Sequence, residues 1–320
     1  MKKFFIGLWV TILLIAGLIS YFWIDRIVEG VYTKVTQYNN KSYAENSIKT
    51  LESNFLDIPL EIKDKVVLVW NPKAEIVIIN TQWWPMTKLS TAEAIWIIED
   101  QSKIDLSKET LLVNVHQCQT LETKKYETEE ISFKQAKQCD KESVKYLAET
   151  VKYFKSKNKK VYVLWISFGA LMTADLLANY PNIADKYLIV VGRLNMPKEV
   201  WKEFSEGHYV GFEYDETGKK TIIPFNIEQA GMWWGGSIWD QNTSKLAAGL
   251  WHKRYIELLK DKNLKNVVYA YWDRDEQVWR LTKEEIDFLK SKDVTVIKIS
   301  WGHSEAIDGF SEKYLKSFIK

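Results

Sequence analysis

Glycine is scarce in this chain, with 14 in 320 residues where the usual share of ~7% implies about 22. A chain so short of glycine has few positions where the backbone adopts positive φ freely or where two segments nearly touch. Cysteine is rarer still. Cys118 and Cys139 are the whole complement, which excludes a disulfide-dense scaffold, and neither has metal-ligand spacing. Excess charge is missing too: 44 Lys plus Arg face 42 Asp plus Glu, a net charge of +2. With lysines spread through mixed-sign segments, no electrostatic footprint for nucleic acid exists, and that class of partner is excluded. What the chain has in excess is tryptophan, at 15 residues.

Phe4 to Ile24 is a run of 21 residues without a charge, long enough at 1.5 Å per residue to cross a hydrocarbon core of about 30 Å. Residues 1–26 are therefore expected to be a membrane anchor. Lys2 and Lys3 precede the run, so the positive-inside bias places the rest of the chain outside the cytoplasm. A cleaved signal peptide is the rival, which would make the protein secreted, but Leu18-Ile19-Ser20 is a poor cleavage site. On the outer side a disulfide between Cys118 and Cys139 is permitted; two unrelated thiols are the alternative.

Residues 27–56 are polar and read as a stalk or linker. From 57 to 320 short apolar runs alternate with helical patterns. The runs are Lys65 to Val69, Glu75 to Asn80, Leu111 to Val115, Lys160 to Leu164, Tyr187 to Val191, Asn266 to Tyr271 and Val294 to Ser300. Helices are expected at Lys141 to Lys155, Ala170 to Tyr180, Lys245 to Lys260 and Lys283 to Lys290. This alternation predicts an α/β domain with a mainly parallel sheet covered on both faces. The aromatic-rich stretch from Arg193 to about Lys253 is long enough to be a lid or binding element.

Three residues sit where such a sheet can bring chemistry together, just past the carboxyl ends of strands. Ser167 follows the run ending at Leu164 and precedes a helix. Asp275 follows the run ending at Tyr271, and His303 the run ending at Ser300. A serine hydroxyl needs a base within reach and a third group to orient that base. The order Ser, Asp, His is the one found in α/β-hydrolases. The backbone N–H of Phe168 would face a developing oxyanion, joined by Trp83 or Trp84 after the run ending at Asn80.

On these residues the chain resembles an α/β-hydrolase over roughly residues 60–320. Gln82-Trp83-Trp84-Pro85 is similar to the HGGP-type oxyanion loop of esterase and proline-iminopeptidase-like members, with Gln82 in place of their histidine. The resemblance implies a serine hydrolase acting on an ester, thioester or amide, with a lid at about 193–253 and no metal or organic cofactor. Each residue has a plainer role available. Ser167 could be a helix N-cap, Asp275 one of a solvated acidic loop with Asp273 and Glu276, His303 structural, and His116 the histidine that approaches the site instead. A non-catalytic binding protein on the same fold is the alternative function.

Tryptophan stands where that family needs glycine: Trp165 before the nucleophile, Trp83 and Trp84 in the oxyanion loop, Trp272 and Trp279 around the acid, Trp301 before the histidine. Trp233, Trp234 and Trp239 form a further cluster in the lid. Two readings stay open. Either these are UGA codons of a code that reads UGA as glycine, or the indoles are genuine and line an aromatic pocket.

Overall fold

The structure is a computed structural model, described for residues 58–80, 82, 84–89, 109–190, 192–214, 220–223, 237–272, 281–299 and 314–319. These residues fall within one compact unit, Ser47–Lys320. The expected anchor and stalk, together with Trp83, Asp275, Trp279, Trp301 and His303, lie outside the described residues. No helix among the described residues is long and apolar enough to cross a membrane.

The short helix α1 (Leu60–Lys63) leads into β1 (Val66–Trp70), β2 (Ile76–Asn80) and β3 (Thr110–Val115). Helices α2 (Cys118–Leu121), α3 (Thr123–Thr128) and α4 (Phe133–Ser156) follow, then β4 (Lys160–Ile166), α5 (Phe168–Asn179) and β5 (Lys186–Val190). The stretch expected to be a lid holds α6 (Lys198–Ser205), a hairpin of β6 (Gly211–Tyr214) and β7 (Lys220–Ile223), and α7 (Ile238–Trp251). The chain ends with α8 (Tyr255–Leu259), β8 (Val267–Trp272), α9 (Lys283–Ser291), β9 (Thr295–Ile299) and α10 (Lys316–Ile319).

Seven strands form one sheet in the order β1-β3-β2-β4-β5-β8-β9. Only β1 runs antiparallel to its neighbour; the other pairings are parallel. Every residue of β3 and all of β4 after Lys160 are buried, the continuous apolar reading of parallel strands covered on both faces. Side chains alternate along β4. Trp165 faces α5, because its indole lies against Gly169 on that helix. Tyr162, of opposite parity, meets Phe318 of α10 at 5.6 Å between ring centroids. So α5 and α10 cover opposite faces.

Two helices depart from expectation. Helix α4 starts eight residues before Lys141, because Ser132 and Gln135 form a capping box at its N-terminus. The helix expected over Lys245 to Lys260 is two, α7 and α8. The chain breaks at Arg254, whose extended backbone bridges Asn195. That bridge, with Tyr255 N–H donating to the Leu194 carbonyl at 3.2 Å, closes the long insertion at its root.

Candidate active site

The strand order reverses direction between β2 and β4. From β2 the chain steps outward to β3, and every later parallel strand is added on the other side of β4. In open α/β sheets a crevice opens at such a switch point, beyond the carboxyl ends of the two strands. Here those ends carry Gln82 and Trp84 after β2 and Ser167 after β4. The register pairing Ile79 with Val163 puts them side by side.

Ser167 is the sharpest feature of this crevice. It is the single residue between β4 and α5, with φ 57° and ψ −123°. That left-handed φ is uncommon for a residue with a Cβ and costs of order 1–3 kcal/mol, so the surroundings must impose it. Its N–H donates to the Val190 carbonyl at 2.9 Å, continuing the ladder to β5, and its carbonyl accepts from Ala170 N–H at 2.9 Å. The chain is thus fixed on both sides of a turn that no strand or helix conformation could make. Its hydroxyl makes no capping hydrogen bond, and an N-cap has extended backbone instead. The plainer role of Ser167 as an N-cap is therefore excluded.

Two glycines let the backbones approach here. A Cβ on Gly169 would run into the Trp165 indole at Cε3, and one on Gly192 would stand 2.7 Å from Ala170 Cβ. Trp165 itself is fully buried in mid-sheet, opposite Ile189. The turn thus accommodates its indole only because residue 169 lacks a side chain. Its indole Nε1 is buried with no hydrogen-bond partner.

The tryptophans sort differently from expectation. Trp165 and Trp272 lie in strands with ordinary φ, and Trp239 is the second residue of α7, so none of them needs glycine for its dihedral. The described tryptophan that does sit at positive φ is Trp70, at 77°, at the end of β1. Spacing around Ser167, Asp275 and His303 gave no hint of it.

Phe168 opens α5, where the first N–H groups of a helix have no intrahelical acceptor and the dipole favours negative charge. Its ring packs edge-on against Trp84 at 6.1 Å, and Trp84 against Trp251 of α7 at 6.3 Å. Trp251 in turn meets Phe204 of α6 at 4.6 Å. The loop after β2, the residue after Ser167 and the insertion therefore share one aromatic wall. His116 directly follows β3, on the side of β2 away from β4. Its Nδ1 is 2.8 Å from Thr120 Oγ1, and burial lowers its pKa. It is engaged there rather than at Ser167.

The carboxyl ends of β8 and β9, Trp272 and Ile299, pair with each other on the same edge of the sheet as Ser167. Asp275 and His303 follow them in sequence. The sulfurs of Cys118 and Cys139 are joined, with 5.4 Å between their Cα atoms. The bridge allowed by the sequence is thus present, and it ties the start of α2 to α4. The bridge packs with Tyr126, Ile131, Ala136 and Leu246.

Sequence reasoning missed Glu285, which is 1% exposed. Its carboxylate accepts from Leu194 N–H at 2.9 Å and Asn195 N–H at 2.8 Å, and it pairs with Arg193 at 3.3 Å. It also closes the capping box of α9, accepting from Thr282 N–H at 2.6 Å. One buried anion thus holds the root of the insertion against the residues that end the stretch after β8. The Thr-x-x-Glu pattern at 282–285 was the available signal; its second set of partners was not in the sequence.

By sequence, no family model and no curated protein matches the chain. In three dimensions it is similar to several solved structures. Est1E from Butyrivibrio proteoclasticus is 14% identical, with 79% of this chain and 93% of that one covered and a TM-score of 0.42. A lipase-esterase related protein from Clostridium acetobutylicum is 10% identical over 79% and 98%, with a TM-score of 0.47. A hydrolase from Oleispira antarctica is 10% identical over 81% and 96%, with a TM-score of 0.48. At these values the likeness carries no argument, and the functional reading rests on the site's own geometry.

Proposed function

We propose that the protein is a serine hydrolase that cleaves an ester, thioester or amide through an acyl-enzyme on Ser167. The observation that carries this reading is the strained turn at Ser167, at φ 57° between strand and helix, at the switch point of the sheet. A backbone held in a costly conformation that presents one hydroxyl, uncommitted to any cap, is what an activated nucleophile requires.

In this reading His303 takes the hydroxyl proton as Ser167 Oγ attacks the carbonyl carbon, and Asp275 fixes the imidazole tautomer and stabilises the imidazolium. The carbonyl oxygen becomes an oxyanion facing the N–H of Phe168 and a second N–H from Trp83 or Trp84, each such donor being worth roughly 3–4 kcal/mol. Collapse expels the leaving group, which receives the proton from His303. Water, activated by the same imidazole, then releases the acid and restores the serine. The ends of β8 and β9 on the Ser167 edge support the two partners' roles. The aromatic wall of Trp84, Phe168 and Trp251 supports an apolar or aromatic group on the substrate. Residues 4–24 would anchor the enzyme to a membrane with this domain outside the cytoplasm.

The test is covalent labelling of the full chain, and of the chain carrying W83G, W84G, W165G, W272G and W301G, with a fluorophosphonate probe. Ser167→Ala is expected to abolish labelling; undiminished labelling would remove Ser167 from the mechanism. Failure of both parent chains to react would favour the binding-protein reading.

A further inference from the structure

Helix α7 is pinned near one end and seated at the other. Near its start Asn242, fully buried, accepts from Ile131 N–H at 2.9 Å and donates to the carbonyls of Tyr126 and Glu129 at 2.8 Å each. Gly249 stands two helical turns further on and therefore on the same face. A Cβ there would run into the Asp140 carboxyl of α4 and lie 3.4 Å from the Ala136 backbone. The glycine is thus a notch in α7, and the Asp140 side chain fills it.

Asp140 is 5% exposed, and its Oδ2 is buried with no hydrogen-bond partner. Around it stand Asp175 of α5, 2.8 Å from Lys253 just past α7, and the phenols of Tyr126 on α3 and Tyr255 on α8. The residues buried with it on α4, Ala136, Cys139, Ser143 and Val144, carry no charge. Lys253 is already bonded to Asp175, so a second carboxylate charge would stand uncompensated in the interior. Burial accordingly keeps the proton on Asp140 above the ordinary carboxylate range, with Lys253 opposing the shift and Asp175 adding to it.

Trp251 lies two residues beyond Gly249, a turn of about 200° around the helix. It faces away from α4, against Trp84 at 6.3 Å and Phe204 at 4.6 Å. Helix α7 is therefore wedged between Asp140 on one side and the aromatic wall on the other.

We propose that Asp140 is a positioning residue for that wall: with its proton the carboxyl seats in the Gly249 notch and sets the depth of α7, and on losing it drives that end of α7 outward and moves Trp251 against Trp84. An ionised carboxylate needs water or a donor. The carboxyl already fills the notch, so water enters only if α7 withdraws, pivoting about Asn242. Substrate held by the wall then binds more weakly as pH rises, a consequence that rests on the hydrolase reading of the Ser167 crevice.

The experiment follows Trp251 and substrate binding separately, in the full chain. Tryptophan is replaced biosynthetically by 5-fluorotryptophan, the Trp251 resonance is assigned with W251F, and its fluorine shift is recorded from pH 5 to pH 8 in the parent, D140N and G249A. kcat and KM for p-nitrophenyl acetate, whose ring serves as the aromatic group, are measured over the same range. In the parent the resonance is expected to show a step above the ordinary carboxylate range, with KM rising about 2- to 10-fold, the worth of one aromatic contact. The pH profile of kcat is expected to be the same in every variant, the pattern of lost uniform binding. Asp140→Asn, which keeps the shape and has no proton to lose, is expected to remove that step and hold KM at its low-pH value. A step from His252, next to Trp251 in the chain, stays in both proteins. Gly249→Ala fills the notch and is expected to displace the resonance and raise KM already at pH 5.

A stationary Trp251 resonance in the parent would overturn the inference, and so would an Asp140→Asn protein that titrates like the parent. A moving resonance with a constant KM would overturn the effect on substrate. Reaction of Ser167→Ala at the parent rate would overturn the hydrolase reading instead, with the resonance still deciding the place of Asp140. If Gly249→Ala fails to fold, Asp140→Asn decides.

Discussion

Each end of the sheet holds a side-chain-bearing residue that is neither Asn nor Asp at positive φ. At the carboxyl edge it is Ser167, at 57°, and at the opposite edge, where the antiparallel β1 ends beside the start of β3, it is Trp70, at 77°. The two cost similar amounts of backbone energy, yet their settings differ. Ser167 is bonded through its backbone on both sides, flanked by Gly169 and Gly192, and adjoins the aromatic wall. Trp70 sits at a sheet corner with its indole Nε1 buried and unbonded. Strain alone therefore does not mark a site. It does so where the neighbouring sequence gives up side chains to make room for it.

The largest way to separate the two is activity. Replacing Ser167 with alanine or glycine is expected to lower hydrolysis by at least about 10⁴-fold, whereas W70G leaves the turnover per folded molecule unchanged. A Ser167→Gly enzyme that still hydrolysed esters would erase the distinction between the two edges.

Much of this contrast was legible in the sequence. All seven runs expected as strands are strands to within two residues; the unbroken apolar stretch is needed most in β3 and β4, parallel strands buried on both faces. Ser167, just past one of them and followed by Phe-Gly-Ala, was visible for the same reason. Glu285 and Asn242 were not. Their importance lies in bonds to residues from 90 to 116 positions away, and nothing in the local context of either announces such partners. The hairpin β6–β7 and the break at Arg254 were hidden likewise, the latter because a bridge to Asn195 overrides a pattern that reads as continuous helix.

The next effect is steric. Gly169→Ala places a methyl against an indole that is fully buried and has no open side to move toward. Overpacking of this kind is expected to cost about 1–3 kcal/mol, read from the urea midpoint. In a Trp165→Gly background the same change should be nearly free, so the double-mutant cycle gives a coupling energy of that size. Additive costs would mean that Trp165 and Gly169 do not compete for one space, and that the crowding ascribed to this edge is absent.

Between the two edges, on the face covered by α4, α5 and α7, lies a buried acid. Burial raises the Asp140 carboxyl well above the ordinary carboxylate range; Lys253 opposes the shift and Asp175 adds to it. Lys253 is itself 2.8 Å from Asp175. With a raised native pKa the folded state keeps a proton that the unfolded chain releases. Stability is therefore full below the ordinary carboxylate range and falls as pH rises through the window above it, by at most about 1.4 kcal/mol per pH unit. Asp140→Asn is expected to flatten that fall, measured as the urea midpoint at pH 5 and pH 8. A variant that falls as steeply as the parent would place the proton elsewhere.

The finest comparison asks whether Trp70 stands where glycine belongs. Any truncation there loses the burial of an indole, so the useful quantity is the difference between two truncations. At φ 77° a Cβ is penalised, and W70G is expected to be more stable than W70A by about 1–2 kcal/mol. At Trp165, in a strand with ordinary φ, the order should reverse, with alanine ahead of glycine by about 0.5–1 kcal/mol. At Ser167 glycine should again lead, while activity is lost either way. If alanine leads at Trp70 too, the left-handed turn at the end of β1 belongs to the indole's packing and not to the backbone. Glycine leading at 70 and 167 but not at 165 would mean that tryptophan meets two distinct demands in this chain, one for a dihedral and one for space. A count of glycine-like positions drawn from motif spacing finds only the second.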